Sequence, residues 1–342
     1  MSPTPAIPKG ALVLITGING YLASELALHL LTLGYRVRGT VRALPKATWL
    51  TTSLLKPHHD SGAFSVIEVP QIDTPDAFSS AIKDVSAVFH LATFGFGVDP
   101  NDIIPREVAA IRSFLTTAKN EPSVRRFVLT SSIVAAATYT PTSTEHVTAA
   151  SWNETAVKAA WAPPPYDASR LMPVYSASKV AAEKEFWRFH EEEKPGFVMN
   201  AVLPQSIVGR RLNKNSESVS AALIPDLFAG RTAVHDSMIP AMSAADVRDV
   251  ALLHVAAALD TELDGKRIYA WGRPMTWNDV LAILRKNFPD KTFTGPRDPS
   301  IGYHLTADLD LELSLLKKWG GQDDWTSLEK IVMDNLEGVV DN

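Results

Sequence analysis

Residues 11–23, Ala11-Leu12-Val13-Leu14-Ile15-Thr16-Gly17-Ile18-Asn19-Gly20-Tyr21-Leu22-Ala23, decide the fold class. An apolar run that stops at a glycine reads as a buried parallel strand. From Leu22 the apolar positions Leu22, Leu26, Leu30 and Leu33 recur at helical spacing, and Gly34 is a natural helix stop. The junction is therefore strand, glycine turn, helix. Gly17 permits the tight turn, Gly20 allows a pyrophosphate close to the backbone, and Ala23 lets the helix lie near the sheet. The free N–H groups and dipole of the helix start attract that anion.

The same alternation continues outward. Strands are expected at 35–41, 64–69, 87–91, 126–130 and 197–203, with helices at 75–83, 102–120 and 174–194. Strand and helix repeated this often imply an α/β fold, a Rossmann-type doubly wound parallel sheet. Beyond about residue 205 the pattern weakens. Residues 210–240 read as loop and short helix, 243–259 as a helix, 267–271 as a strand, and the tail from 276 as mostly helical. The expected division is a dinucleotide-binding domain of residues 10–204 plus about 240–271. A smaller substrate lobe takes about 205–239 plus 272–342.

Composition narrows the function. The 342 residues are 46% hydrophobic and 21% charged, and 33 Lys and Arg against 38 Asp and Glu give a net charge of −5. That balance argues against nucleic acid as a partner. There is no cysteine, hence no disulfide, thiolate metal site or cysteine nucleophile. Residues 1–10 are proline-rich without the apolar stretch of a secretory signal, and residues 11–33 are too interrupted by polar side chains to span a membrane. The expectation is a soluble, cytoplasmic protein. His58-His59 in a polar loop reads as solvent-exposed, and no metal is expected.

At the end of the second strand, an acidic residue would bind the ribose of NAD. Val37-Arg38-Gly39-Thr40-Val41-Arg42 has no acid there. Arg42 is placed to fork a 2′-phosphate, with Lys46 assisting, so NADPH/NADP+ is expected. Further along, Tyr175 and Lys179 stand four apart on an expected helix and so share a face. A neighbouring ammonium favours a phenolate, which lets such a tyrosine trade protons near neutral pH.

The Thr-Gly-x-x-Gly-x-x-Ala spacing from Thr16 to Ala23, Thr130-Ser131-Ser132 and Tyr175-x-x-x-Lys179 together resemble the extended short-chain dehydrogenase/reductase family. Arg125 to Ser132 and Asn200-Ala201-Val202-Leu203-Pro204 resemble its dihydroflavonol-4-reductase-like branch, nearest the fungal and yeast NADPH-dependent aldehyde and ketone reductases. The resemblance runs from about residue 10 to at least 280. It implies a catalytic Ser132, which bonds the substrate carbonyl oxygen, a proton-donating Tyr175, and Lys179 on the nicotinamide ribose. It implies cofactor contacts from Thr16, Gly17, Asn19, Gly20, Tyr21, Leu22, Gln71, Ile72, Leu91, Ala92, Thr93, Thr130, Pro204, Ser206 and Ile207. Many relatives carry an asparagine that supports the lysine through a water; Arg112 stands at the matching position here. Asp246 reads equally well as a helix cap.

The expected pocket walls are Phe94, Phe96, Val134, Tyr139, Tyr166 and Gln205. Apolar walls around one polar cluster suit a hydrophobic aldehyde or ketone, keto esters included. Two other readings stay open: a nucleotide-sugar epimerase or dehydratase on the same fold, and a non-catalytic dinucleotide sensor. A monomer and a homodimer are equally allowed.

Overall fold

Short apolar segments separated by glycine turns and amphipathic helices build the expected parallel sheet. The computed structural model describes residues 4–138, 143–214, 218–233, 235, 241–298 and 302–339. In chain order the first elements are β1 (Leu12–Ile15), α1 (Tyr21–Thr32), β2 (Arg36–Val41), α2 (Lys56–Asp60), β3 (Phe64–Glu68), β4 (Ala87–His90), α3 (Pro100–Lys119) and β5 (Arg126–Thr130). Then come β6 (His146–Val147), α4 (Glu154–Ala160), α5 (Leu171–Glu193), β7 (Val198–Pro204), β8 (Ser206–Val208) and α6 (Val219–Phe228). The chain continues with β9 (Ala241–Asp246), α7 (Val247–Leu259), β10 (Arg267–Ala270), β11 (Arg273–Thr276) and α8 (Trp277–Asn287). Last are β12 (Thr306–Ala307), α9 (Asp310–Gly320) and α10 (Leu328–Asn335).

Seven parallel strands form the main sheet in the order β10-β7-β5-β4-β1-β2-β3. The order reverses between β1 and β4, which opens a crevice at the strands' carboxyl ends. Helix α1 packs beside α7 and α3 beside α5, covering the sheet. Burial on both faces explains why β1 and β4 are fully buried runs rather than alternating ones.

Two expectations change. Residues 75–83 form successive turns rather than a helix. Asp76 and Asp84 adopt left-handed backbone conformations at φ +58° and +63°, which bracket a segment too short to sustain a helix. The apolar spacing there reflects burial of Phe78, Ala81 and Ile82. The expected helix at 243–259 begins only at Val247, because 241–246 form a strand. That strand pairs in parallel with β8 and antiparallel with β11 in a second, three-stranded sheet.

The second sheet carries its own apolar cluster, built on Val208, Leu227, Met242, Trp277, Leu281 and Ile331. It is tied to the glycine-turn helix. Tyr21 Oη donates to Gly209 O at 2.9 Å, and Arg210 Nη2 meets Glu25 Oε1 at 2.5 Å. No helix among the described residues is long and apolar enough to cross a membrane.

Glu312 on α9 is 2% exposed and accepts from Tyr269 N, on the outer edge strand β10, at 2.8 Å. Burial pushes its carboxyl up to about 7. Between about pH 4.5 and 7 the folded chain therefore keeps a proton the unfolded chain has lost, so this group's contribution falls as pH rises through that window. Glu312→Gln keeps the acceptor and removes the titration. Urea midpoints at pH 4 and pH 8 are expected to show the variant gaining up to roughly 3 kcal/mol on the parent chain at the higher pH.

Candidate active site

The glycine turn forms one end of a cleft of about 650 Å³. Gly17 has φ +67°, a conformation that favours glycine. A Cβ on Gly20 would stand 3.1 Å from Gly17 O, a tight contact that would push the turn open by a few tenths of an ångström. Gly20 precedes α1 without a side-chain cap. The first-turn N–H groups, those of Tyr21 and Leu22 included, have no partner within the helix and suit an anion. Tyr21 and Leu22 contribute backbone there: the Tyr21 hydroxyl is engaged by Gly209, and the Leu22 side chain is buried.

Thr16 is fully buried beneath the cleft. Its Oγ1 accepts from Leu91 N and Ala92 N, both at 2.9 Å, and lies 2.9 Å from His90 Nδ1. Two accepted bonds leave the hydroxyl proton to go to Nδ1, which puts the His90 ring proton on Nε2. Burial, with the Lys179 charge nearby, lowers His90 to about 3 and keeps it neutral. Thr16 therefore positions the cofactor wall from behind.

The cleft walls collect many of the expected cofactor residues. Gly17, Asn19 and Gly20 form one side; Arg42 and Lys46 stand just past β2; Gln71 and Ile72 follow β3; Leu91, Ala92, Thr93 and Phe94 follow β4. Arg42 and Lys46 are exposed, and no acid ends β2. Arg38 is differently employed: its Nη1 donates to Ala81 O and Lys83 O at 2.8 Å each, a structural tie. Asp73, the acid nearest the Gln71-Ile72 position, also joins the wall, and Arg106, which had no local signal in the sequence, pairs with it at 2.9 Å. Glycine turn, helix start, cleft volume and the cations past β2 together fit a phosphorylated dinucleotide.

Beyond the Leu91–Phe94 wall stand the proposed reacting groups. Lys179 Nζ lies 6.0 Å from the centre of the Tyr175 ring, and the Phe96 ring lies 4.6 Å from Tyr175. The two serines after β5 differ in their surroundings. Ser131 is buried, and its Oγ donates to Glu183 Oε2 at 2.5 Å. Ser132 is only partly buried and caps the short 3₁₀ turn 133–135 that packs on α5. Lys179, Thr130 and Ser131 also line a polar cavity of about 10 Å³ with His90, Glu107 and Glu183. The Thr130 hydroxyl is 2.8 Å from His254 Nε2.

The remaining expected residues are more dispersed. Pro204 and Gln205 are buried, Ser206 and Ile207 half-buried, all where β7 passes into β8. Gln205 Nε2 donates to Tyr303 Oη, a partner from the C-terminal part of the chain. Val134 is half-buried in the 3₁₀ turn, and Tyr166 sits 3.5 Å from Asn101 Nδ2. Tyr139 lies outside the described residues. Arg112 pairs on the α3–α5 surface with Glu185 at 2.7 Å and has no part in the Lys179 cavity. Asp246 caps α7, accepting from Arg248 N at 2.8 Å. No cluster of three possible metal-ligating side chains occurs among the described residues.

A family model described as the NAD dependent epimerase/dehydratase family matches residues 13–272. The chain belongs to that family. It is an extended short-chain dehydrogenase/reductase. It is 40% identical over 97% of both chains to the NAD-dependent epimerase/dehydratase terH of Aspergillus terreus. It is 33% identical to aldehyde reductase 2 of Sporidiobolus salmonicolor, over 96% of each chain. Its fold matches the yeast methylglyoxal/isovaleraldehyde reductase Gre2 complexed with NADPH, with TM-score 0.80 and 28% identity, covering 96% of this chain and 98% of that one.

The two serines can be separated by experiment. Ser131→Ala is expected to cost about 1–3 kcal/mol in urea unfolding, because it strips a donor from a buried carboxylate. Ser132→Ala removes only a long 3.4 Å cap on Val134 N, so it is expected to cost less, about 0.5 kcal/mol, and to lower turnover.

Proposed function

We propose that the chain is an NADPH-dependent carbonyl reductase that converts hydrophobic aldehydes and ketones, keto esters included, to alcohols. One observation carries this reading. The wall Leu91 to Phe94 runs from the cations past β2 toward Tyr175, where the half-exposed Phe96 ring lies against the phenol. A cofactor cradle and a proton donor thus share one continuous surface.

In this reading Arg42, with Lys46, forks the 2′-phosphate, and Gln71 and Ile72 border the adenine. The backbone at Pro204, Ser206 and Ile207 borders the nicotinamide amide, and Lys179 holds the ribose hydroxyls beside it. When bound, NADPH supplies the hydride. Ser132 offers a preorganised donor to the carbonyl oxygen as negative charge develops there. Tyr175 gives that oxygen its proton. Phe94, Phe96, Val134, Tyr166 and Gln205 border the substrate. The protein works in the cytoplasm as a monomer or homodimer.

Loss of NADPH absorbance over a panel of aldehydes, aryl ketones and keto esters, with NADH in parallel, tests the reading. NADPH is expected to be consumed with some of these carbonyls and NADH far more slowly. Tyr175→Phe is expected to lower turnover at least about 100-fold while NADPH fluorescence titrations still show binding. Normal turnover in that variant would sink the mechanism. Arg42→Ala is expected to raise the KM for NADPH by about 10- to 100-fold and leave that for NADH nearly unchanged. Equal losses with both cofactors would remove the phosphate role from Arg42.

A further inference from the structure

Helix α3 turns an apolar stripe inward through Ile103, Ile104, Ala110, Ile111, Phe114 and Leu115. Glu107 sits in the middle of that stripe, 5% exposed. Burying a carboxylate is costly unless hydrogen bonds compensate it. Here Oε1 accepts from the Thr93 hydroxyl and from Phe94 N, the latter at 2.8 Å. The Thr93 hydroxyl, its proton committed to Glu107, in turn accepts from Gly95 N at 3.4 Å. Gly95 turns the chain at φ +85°, and the next residue is Phe96. The segment 91–97 has no regular secondary structure of its own. Its first part is held by Thr16, its middle by Glu107, and the Phe94 ring lies 4.4 Å beneath the Arg106 guanidinium. Phe96, 53% exposed, then rests against Tyr175.

We propose that Glu107 is a positioning residue that sets substrate preference: by fixing the Thr93–Gly95 turn it holds the Phe96 ring beside Tyr175 as a stacking wall for aromatic carbonyl compounds. The inference rests on the reductase reading. A stack against Phe96 rewards a substrate ring and is indifferent to a short alkyl chain. Glu107 also holds Thr93 and Phe94 of the cofactor wall, so the informative readout is the ratio of aryl to aliphatic KM, which a shifted cofactor would leave unchanged because it acts on both substrates alike.

The test compares an aryl aldehyde with a short aliphatic aldehyde, reading kcat and KM for each at saturating NADPH. Glu107→Ala is expected to raise the aryl-to-aliphatic KM ratio about five-fold, with any change in kcat shared by the two substrates. Glu107→Gln keeps an oxygen that accepts from both donors and is expected to restore the aryl KM. In a Phe96→Ala background the Glu107→Ala effect is expected to vanish. If Glu107→Ala does not fold, Thr93→Val removes the same hydroxyl link and is expected to shift the aryl KM in the same direction. An unchanged aryl-to-aliphatic KM ratio in the Glu107 and Thr93 variants overturns the inference, as does an effect that persists without the Phe96 ring. A parent chain that reduces neither aldehyde overturns the reductase reading, and this inference with it.

Discussion

The buried carboxylate of Glu183 pins the helix that carries Tyr175 and Lys179. It is fully buried on α5, and Arg267 Nε, at the start of the last main-sheet strand, meets its Oε1 at 2.6 Å. Trp187 Nε1 donates to the same oxygen at 3.1 Å, and Ser131 occupies the other. A buried ion pair offsets its desolvation only when its remaining valences are filled, and removing one partner typically costs about 3–5 kcal/mol. Here those valences are filled, so the rotation of α5 about its axis is pinned at one point. Lys179 and Tyr175 lie one and two turns earlier on the same face, and they are thereby aimed at the crevice. Ser131 is thereby committed to that carboxylate, whereas its neighbour Ser132 is only partly buried.

The other half of the site depends on Thr16. Its hydroxyl joins the end of β1 to the first residues after β4 and holds a neutral histidine behind them. The crevice exists because sheet order reverses between those two strands. Thr16 bridges that reversal from below, so the glycine turn and the Leu91–Ala92 wall keep a fixed separation. The two halves meet along residues 91–97, whose conformation comes from side chains reaching out of β1 and α3.

Much of this was legible because it is local. The strand-turn-helix at 11–33, the parallel strands, the Tyr175–Lys179 face and the Asp246 cap are each written within a few consecutive residues. The resemblance of the Thr16–Ala23 turn and Tyr175-x-x-x-Lys179 to a reductase family is matched by the family assignment. What was not legible depends on partners distant in sequence. Strand β9 exists because β8 and β11 flank it, and its run Met242 to Ala245 has no distinctive period. The Asp73–Arg106 bridge and the burial of Glu107 join segments that nothing in the sequence pairs. Glu107 left one trace, a charge inside an apolar helical stripe. At 75–83 apolar spacing was read as a helix although two left-handed aspartates stop it from extending.

The carboxyl of Glu312 also bears on how copies of this chain avoid one another. Strand β10 closes one side of the main sheet, and an uncovered edge is a template for another chain's backbone. Charged side chains usually discourage such pairing from the strand itself. Here a group from a helix far along the sequence takes the outward N–H of Tyr269. The sheet is thus finished by its own C-terminal segment. Without α9 docked, the Tyr269 N–H would stand unpaired on that edge, so this helix closes a position where another copy's backbone could otherwise pair.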